Sequence, residues 1–423
     1  MGFSFTLQLL GLCAALFATL GDAARNDGFD LRPFKIDLNS KIPRLKSLLQ
    51  NTRIPEKDLY LGVGPGYGVE VETLRALKDE WSGNYSWAAE QEKLNAFDQY
   101  TAVVEGMKIH FVHEKSEDPD AIPIILLHGW PGSFHEFVPI IKPLTQPSMS
   151  STGKNVSYHV VVPSLPGFVF SSPPPNVNWT TDDTARIFNT LMTEVLGYSK
   201  YAVHGTDWGC VVGYSLYGSY NTTVRGAQFT FIPFISPSQA DIAANNITLD
   251  PIEQGAYDDY LEWSTTGNSY FMELTFKACC SPNDIGQALY DSPVGQLAWI
   301  GAKIKRVSDP RAGTPPSTLD NTAILTMVSL YYLTDTVISA GWVYAQNAGK
   351  WSTVYTKAPT DAPFLFSQYQ YNTVGWPKEY IAKVGNLVSY TEHDFGGHFL
   401  GLDNPPALIG DIRELGPYFK AAL

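Results

Sequence analysis

The stretch Tyr201-Ala202-Val203-His204-Gly205-Thr206-Asp207-Trp208-Gly209 constrains this chain more than any other. An apolar segment of strand character runs into Gly-x-Asp-x-Gly, and residues of helical character follow from Cys210 to Tyr217. A chain that turns from strand to helix within so few residues has no room for side chains beside the apex. Gly205 and Gly209 meet that need and leave Asp207 displayed at the end of a sheet. A carboxylate held there can open a strained ring or displace a halide, in either case leaving an alkyl ester on the protein. An Asp at a strand–helix junction is also an ordinary N-cap, so the motif alone leaves a structural reading beside the chemical one.

The surrounding pattern is α/β. Lys108 to His113 alternates like a half-buried strand, and Ile122 to Leu127 is an unbroken apolar run like a fully buried one. Tyr158 to Val162, Tyr201 to Val203 and Ala227 to Ile232 are further short strands, and Thr184 to Leu196 is helical. Alternating strand and helix signals predict a mostly parallel sheet with helices on both faces. Residues 25–105 form a polar, helix-prone N-terminal region, with Leu45, Leu48 and Leu49, then Leu74, Leu77 and Trp81, at helical spacing. The loop Gly62 to Gly68 between them lacks the lysine of a phosphate loop. Residues 106–236 read as the first part of the core and 348–423 as the second, with a strand at Asn386 to Tyr390 and a closing helix from Pro406. Between them, residues 237–347 are aromatic-rich and helical, and an insertion of this kind is expected to cover the site as a lid.

Residues 1–24 read as a secretion leader. Phe5 to Leu20 is almost wholly apolar or small, and Gly21, Ala23 and Ala24 offer a cleavage site. The run is short for a membrane span, and no other segment suits one. Gly2 and Thr6 also fit a myristoylation pattern, which the apolar run behind them disfavours. Sequons at Asn84, Asn155, Asn178, Asn221 and Asn246 point the same way, to a secreted glycoprotein. Beyond Cys13 in the leader, Cys210, Cys279 and Cys280 give neither a paired disulfide framework nor metal-ligand spacing, so no metal or cofactor is expected. A net charge of −13 speaks against nucleic acid as a partner. No pattern fixes the oligomeric state; a dimer is compatible.

Two further loops stand in the order that an Asp-based elbow requires. Leu127-His128-Gly129-Trp130-Pro131-Gly132-Ser133 directly follows a buried strand. A loop there supplies one backbone N–H of an oxyanion hole, and the residue after the nucleophile supplies the other, which nominates Trp130 and Trp208. Glu392-His393-Asp394-Phe395-Gly396-Gly397-His398-Phe399 follows the last strand, where this fold places its base. His398, after two glycines, is the candidate, with His393 its neighbour and competitor.

In this order the motifs resemble the microsomal-type epoxide hydrolase family of the α/β-hydrolase fold, which includes secreted fungal members. The resemblance spans nearly the whole mature chain. It rests on Arg44-Leu45, Thr52-Arg53-Ile54-Pro55, Leu94-Asn95-Ala96-Phe97 and Gly106-Met107-Lys108-Ile109-His110-Phe111 in a meander-like N-terminal region, and on His128 to Ser133 and Gly396 to Phe399. It implies that a small apolar epoxide and water give a vicinal diol, a detoxification chemistry, through an ester on Asp207 that water activated by His398 cleaves. It also implies that Tyr270, in Asn268-Ser269-Tyr270-Phe271-Met272-Glu273, and Tyr344, in Gly341-Trp342-Val343-Tyr344, protonate the epoxide oxygen. One departure stands out: Asn372 occupies the position of the family's relay acid, before Trp376-Pro377-Lys378-Glu379-Tyr380. An amide can accept a hydrogen bond from the histidine but cannot balance an imidazolium, and it can favour the wrong tautomer. Asp361, Glu379, Glu392 and Asp394 are candidate substitutes. The rival readings are a haloalkane dehalogenase-like hydrolase and, because of Asn372, a non-hydrolytic ligand-binding pseudoenzyme.

Overall fold

Apolar segments that must be covered on both faces form the centre of the molecule. In the computed structural model, which describes residues 28–60, 62, 68–265 and 282–422, a nine-stranded sheet runs through the chain. Its strands are β1 (Arg32–Pro33), β2 (Gln99–Val104), β3 (Met107–Glu114), β4 (Ile122–Leu127), β5 (Tyr158–Pro163), β6 (Tyr201–Gly205), β7 (Val224–Phe229), β8 (Pro363–Tyr369) and β9 (Asn386–His393). Their spatial order is β1-β2-β3-β5-β4-β6-β7-β8-β9. The first three strands and the β3–β5 pair are antiparallel, and every pair from β5 to β9 is parallel. The sheet therefore begins inside the N-terminal region, since β1 and β2 precede residue 106.

Register sets the site. Leu127 at the end of β4 pairs with Gly205 at the end of β6, so the loops that follow both strands leave the sheet side by side. The strand expected over Ala227 to Ile232 lies instead at Val224–Phe229. Of the apolar residues past Phe229 that suggested a longer strand, Phe231 is buried where it walls a pocket, and Ile232 is buried beyond the end of the sheet pairing.

The insertion between β7 and β8 is helical. It includes α3 (Pro251–Thr265), α4 (Asn321–Leu333) and α5 (Val337–Gln346), while α1 (Val71–Ser82) lies between β1 and β2 and α2 (Asp207–Ser219) follows the elbow. Every residue of α4 from Ala323 to Leu333 is buried, which explains an apolar pattern without amphipathic relief. Its hydroxyls are used: Trp81 Nε1 of α1 donates to Ser329 Oγ at 3.0 Å, and Tyr85 shares a hydrogen bond with Thr326. The α4 and α5 helices meet at 90°, and no single helix among the described residues is long and apolar enough to cross a membrane.

A carboxylate cluster seats α3 on the core. Asp250 Oδ1 accepts from the Ile252 and Glu253 N–H groups, and Glu253 Oε1 accepts from Lys378 N–H and from the Tyr390 hydroxyl. Glu392 of β9 lies with Asp250 and Glu253 so that ligand atoms of all three fall within 4.8 Å of one another. Burial first, then hydrogen bonding to Asp250 and the charges of Asp250 and Glu253, push the Glu392 carboxyl up to about 7, against which Lys378 acts only weakly. Protonation of Glu392 thus relieves the repulsion among three carboxyl groups gathered at the lid–core seam.

Two measurements follow. Trp81→Ala opens a buried volume between α1 and α4 and is expected to cost about 3–5 kcal/mol, read as a lowered denaturant midpoint of one global transition. An unchanged midpoint would show that the N-terminal region contributes nothing to the lid. For Glu392, the folded-state value lies above the ordinary 4.5. Its contribution is therefore full at low pH and is lost as pH rises through about 7. Glu392→Gln is expected to flatten the fall in Tm across that window. Asp259, raised to about 6 by burial, would account for the slope that remains.

Candidate active site

The elbow exists because glycine allows contacts that no other residue would. A Cβ on Gly209 would lie 2.0 Å from the Leu127 carbonyl oxygen, and one on Gly205 would lie 2.6 Å from the Gly209 oxygen. The first turn of α2 thereby packs directly on the end of β4. Asp207 takes a left-handed φ of 47°, a conformation costly for a residue with a side chain and one that recurs at functional sites. Its carboxylate sits at the N-terminus of α2, where the unpaired N–H groups favour negative charge.

The loop after β4 closes on it. Trp130 N–H donates to Asp207 Oδ1 at 2.7 Å. This approach requires Gly129, whose missing Cβ would lie 2.0 Å from that oxygen. Trp208 offers its N–H from the first turn of α2 and makes no hydrogen bond to the carboxylate in this structure. His128 is structural: its Nε2 accepts from Leu165 N–H, and burial pushes the ring down to about 4, so it stays neutral.

His398 faces the other oxygen, with Nε2 3.4 Å from Asp207 Oδ2. Its loop is anchored at consecutive residues. Gly396 N–H donates to Asp309 Oδ2, Gly397 N–H donates to Asp403 Oδ2, and His398 N–H donates to the Val307 carbonyl at 2.7 Å. Asp309 and Asp403 are buried anchors that no spacing in the sequence reveals, because they act through the fold on a loop remote from Asp309. His393 is elsewhere: it stacks on Tyr369 and contacts Asp411 at 3.0 Å.

Asn372 is fully buried behind His398. Its Oδ1 lies 2.9 Å from His398 Nδ1 and also accepts from Thr373 N–H at 2.9 Å, while its Nδ2 donates to the Thr230 carbonyl at 2.9 Å. The Thr230 carbonyl can only accept, so the amide must turn its oxygen to the histidine. Nδ1 then carries the proton, and Nε2 presents its lone pair towards Asp207. The tautomer that an amide put in doubt is thus fixed by the Thr230 carbonyl, a main-chain group that no sequence motif singles out. The substitute acids do not reach the ring. Asp361 pairs with Arg225, Glu392 belongs to the α3 cluster, and Glu379 and Asp394 are exposed. Among the described residues Asp207 is the one carboxylate within 4.0 Å of a His398 ring nitrogen.

Tyr344 on α5 stands over the carboxylate, packed edge-on against Trp208 and Trp130 with centroids 5.0 and 5.7 Å away. Burial and the charge of Asp207 hold its phenol well above the ordinary range, so it is a neutral donor. The Trp208 indole N–H has no partner at hydrogen-bond distance, and its nearness to the phenol offsets only part of that rise. Tyr270 lies outside the described residues. The pocket above Asp207 is walled by Trp208, Phe231, Trp263, Trp351 and Trp376. The only described group with metal-like spacing is the Asp250–Glu253–Glu392 cluster on the lid–core seam.

Comparison with known proteins agrees with this geometry. The profile described as epoxide hydrolase N terminus matches residues 31–137, and that described as alpha/beta hydrolase fold matches residues 122–263. A putative epoxide hydrolase of Stigmatella aurantiaca is 33% identical over 386 residues, covering 91% of this chain and 84% of that protein. One from Dothistroma septosporum is 32% identical over 394 residues, covering 90% and 89%. Among solved structures, the Aspergillus niger epoxide hydrolase superposes with a TM-score of 0.77 at 30% identity, covering 93% of this chain and 96% of that one. The juvenile hormone epoxide hydrolase of the silkworm Bombyx mori, at 24% identity and a TM-score of 0.81 over 93% and 95%, shares the fold.

Proposed function

We propose, for a chain that belongs to the epoxide hydrolase family and whose reaction is the addition of water to an epoxide, a two-step route through an ester on Asp207. The observation that carries it is the Asp207 carboxylate held between Trp130 N–H on Oδ1 and His398 Nε2 near Oδ2. Oδ2 attacks a ring carbon as the ring C–O bond breaks, and the departing oxygen takes a proton from Tyr344, with Tyr270 as the second donor. Water then gives a proton to His398 Nε2 as its oxygen attacks Cγ of Asp207. Negative charge gathers on Oδ1, where Trp130 N–H already points and Trp208 N–H can join it. Collapse releases the diol as the proton on His398 passes to the leaving oxygen, and the second water proton leaves the new Asp207 carboxyl group to restore the tyrosine phenol, so that the carboxylate and its donor are both regenerated.

Asn372 supports this route by orientation alone. It holds the productive tautomer but places no negative charge beside the imidazolium, which makes ester hydrolysis the slow half of the cycle. With the tautomer preserved, the feature that motivated a pure binding protein becomes a matter of rate. The aromatic walls suit a small apolar epoxide, and the kinship with epoxide hydrolases favours epoxides over haloalkanes.

Intact-protein mass spectrometry with a panel of epoxides tests the route. A substrate-sized adduct on Asp207 with diol release is expected, and Asp207→Ala is expected to give neither; diol formed at full rate by that variant would sink it. Asn372→Leu removes the tautomer lock and is expected to slow adduct hydrolysis by at least about 10²-fold while leaving adduct formation fast.

The chain is also proposed to be exported and glycosylated. Asn84, Asn155, Asn178 and Asn246 are exposed, whereas the Asn221 amide donates to the Pro359 carbonyl and is the least available; the leader, residues 1–24, lies outside the described residues. A mass loss on enzymatic deglycosylation of the secreted chain is expected, and an unglycosylated product retained in the cell would reject this.

A further inference from the structure

A second carboxyl group lies in the turn that carries Trp130. Glu136 is 2% exposed, although a glutamate is rarely buried without a partner. Its Oε2 lies 2.0 Å from where a Cβ on Gly132 would stand, and the Gly129 carbonyl oxygen lies 3.2 Å from the same point. The turn Gly129 to Gly132 therefore has a carboxyl group in the place of each missing glycine side chain: Asp207 at Gly129 and Glu136 at Gly132. On its outer side the turn is held by the Tyr331 hydroxyl, which donates to the Gly132 carbonyl at 2.7 Å.

The backbone of Glu136 meets the other half of the site. A Cβ on Gly401 would lie 2.2 Å from the Glu136 carbonyl oxygen. Gly401 belongs to the short helix Leu400–Asp403 that follows His398 directly. One residue thus packs through its side chain on the turn that aims Trp130 N–H and through its main chain on the segment that carries His398.

Two carboxyl groups packed on one buried turn repel each other when both are ionised, which favours the proton on one of them. Asp207 has the N–H donor and the helix terminus. Burial together with the Asp207 charge holds the Glu136 carboxyl well above the usual carboxylate range. The other groups near it are neutral: the Tyr331 phenol, itself raised by burial and by Glu136, and the His135 ring, pushed down to about 4 by burial.

We propose that Glu136 is a positioning residue for this reaction, a neutral carboxylic acid that fills the turn beneath Gly132 and keeps Trp130 N–H aimed at Asp207 Oδ1. Neutrality matters most in the second step. An anion at Glu136 would oppose the negative charge that gathers on Oδ1, whereas the acid supports the turn at no electrostatic cost. This rests on the route through the Asp207 ester.

The test compares Glu136→Gln, which keeps shape and neutrality, with Glu136→Asp and Glu136→Ala, which empty the space beneath Gly132. Gln is expected to retain turnover within about threefold, and Asp and Ala to lower kcat by about tenfold or more with little change in KM, as small misplacements of a reacting group do. Infrared difference spectra of wild type against Glu136→Gln are expected to show a protonated carboxyl band in wild type. Turnover in Gln as low as in Ala, full turnover in Ala, or a carboxylate band in place of the acid would each overturn the proposal. Should Glu136→Ala fail to fold, Gly132→Ala is the second reading. Its methyl must expel the carboxyl, so a similar loss of kcat is expected, and unchanged kcat would overturn the proposal. Adduct formation by the wild type is followed in parallel. Its absence would remove the ester route itself, whereas a normal adduct with all Glu136 variants at full rate removes only the role of Glu136.

Discussion

The structure depends on one close approach, that of the first turn of α2 to the end of β4. Gly209 stands against the Leu127 carbonyl, and Thr206 N–H donates to that same carbonyl at 3.1 Å. With the β4–β6 register aligning Leu127 and Gly205, the contact welds the elbow to the neighbouring loop. Everything at the site is measured from this weld: the strained φ of Asp207, the reach of Trp130 N–H, and the distance to which His398 must be brought. A looser junction would leave a carboxylate at a helix N-terminus, which is only a cap.

Around it the molecule solves a problem of burying charge. The Asp207 carboxyl group lies in an aromatic pocket, where it meets a backbone donor and the N-terminus of a helix, arrangements that favour negative charge. Its charge then acts on its surroundings, helping to keep the Tyr344 phenol and the Glu136 carboxyl protonated. The same economy appears at Asn372, where an amide fixes the histidine tautomer through the Thr230 carbonyl and adds no second negative charge to a dry site. What the amide does not supply is a negative charge beside an imidazolium at His398.

The lid and the N-terminal region serve this pocket from outside. Helix α4 is buried along its length and takes hydrogen bonds from Trp81 and Tyr85 of the N-terminal region, and the bend into α5 brings Tyr344 back over Asp207. Helix α3 is seated through the hydrogen bonds of Asp250 and Glu253, beside which lies the raised carboxyl group of Glu392. Neither device is near the reacting atoms, yet both hold side chains that wall the pocket.

The sequence by itself determined the elements whose cause is local. Gly-x-Asp-x-Gly after an apolar strand, the glycine loop after Ile122 to Leu127, and the late Gly-Gly-His each carry their chemistry in adjacent residues, and so does the parallel centre of the sheet, in unbroken apolar runs. Asn372 was marked only by resemblance, as a departure in a known pattern. Tertiary structure alone decided what depends on partners far apart in the chain. It ended β7 at Phe229, beyond which Phe231 walls a pocket, and it tied His393 to Asp411 while leaving His398 to face Asp207. It oriented Asn372 through a backbone carbonyl, which carries no residue signature at all, and it set Glu136 against Gly132, where the informative quantity is the space a missing side chain leaves. Hydrogen bonds to main chain and the fit of one surface into another are properties of positions in space, and a sequence encodes them only by way of the whole fold.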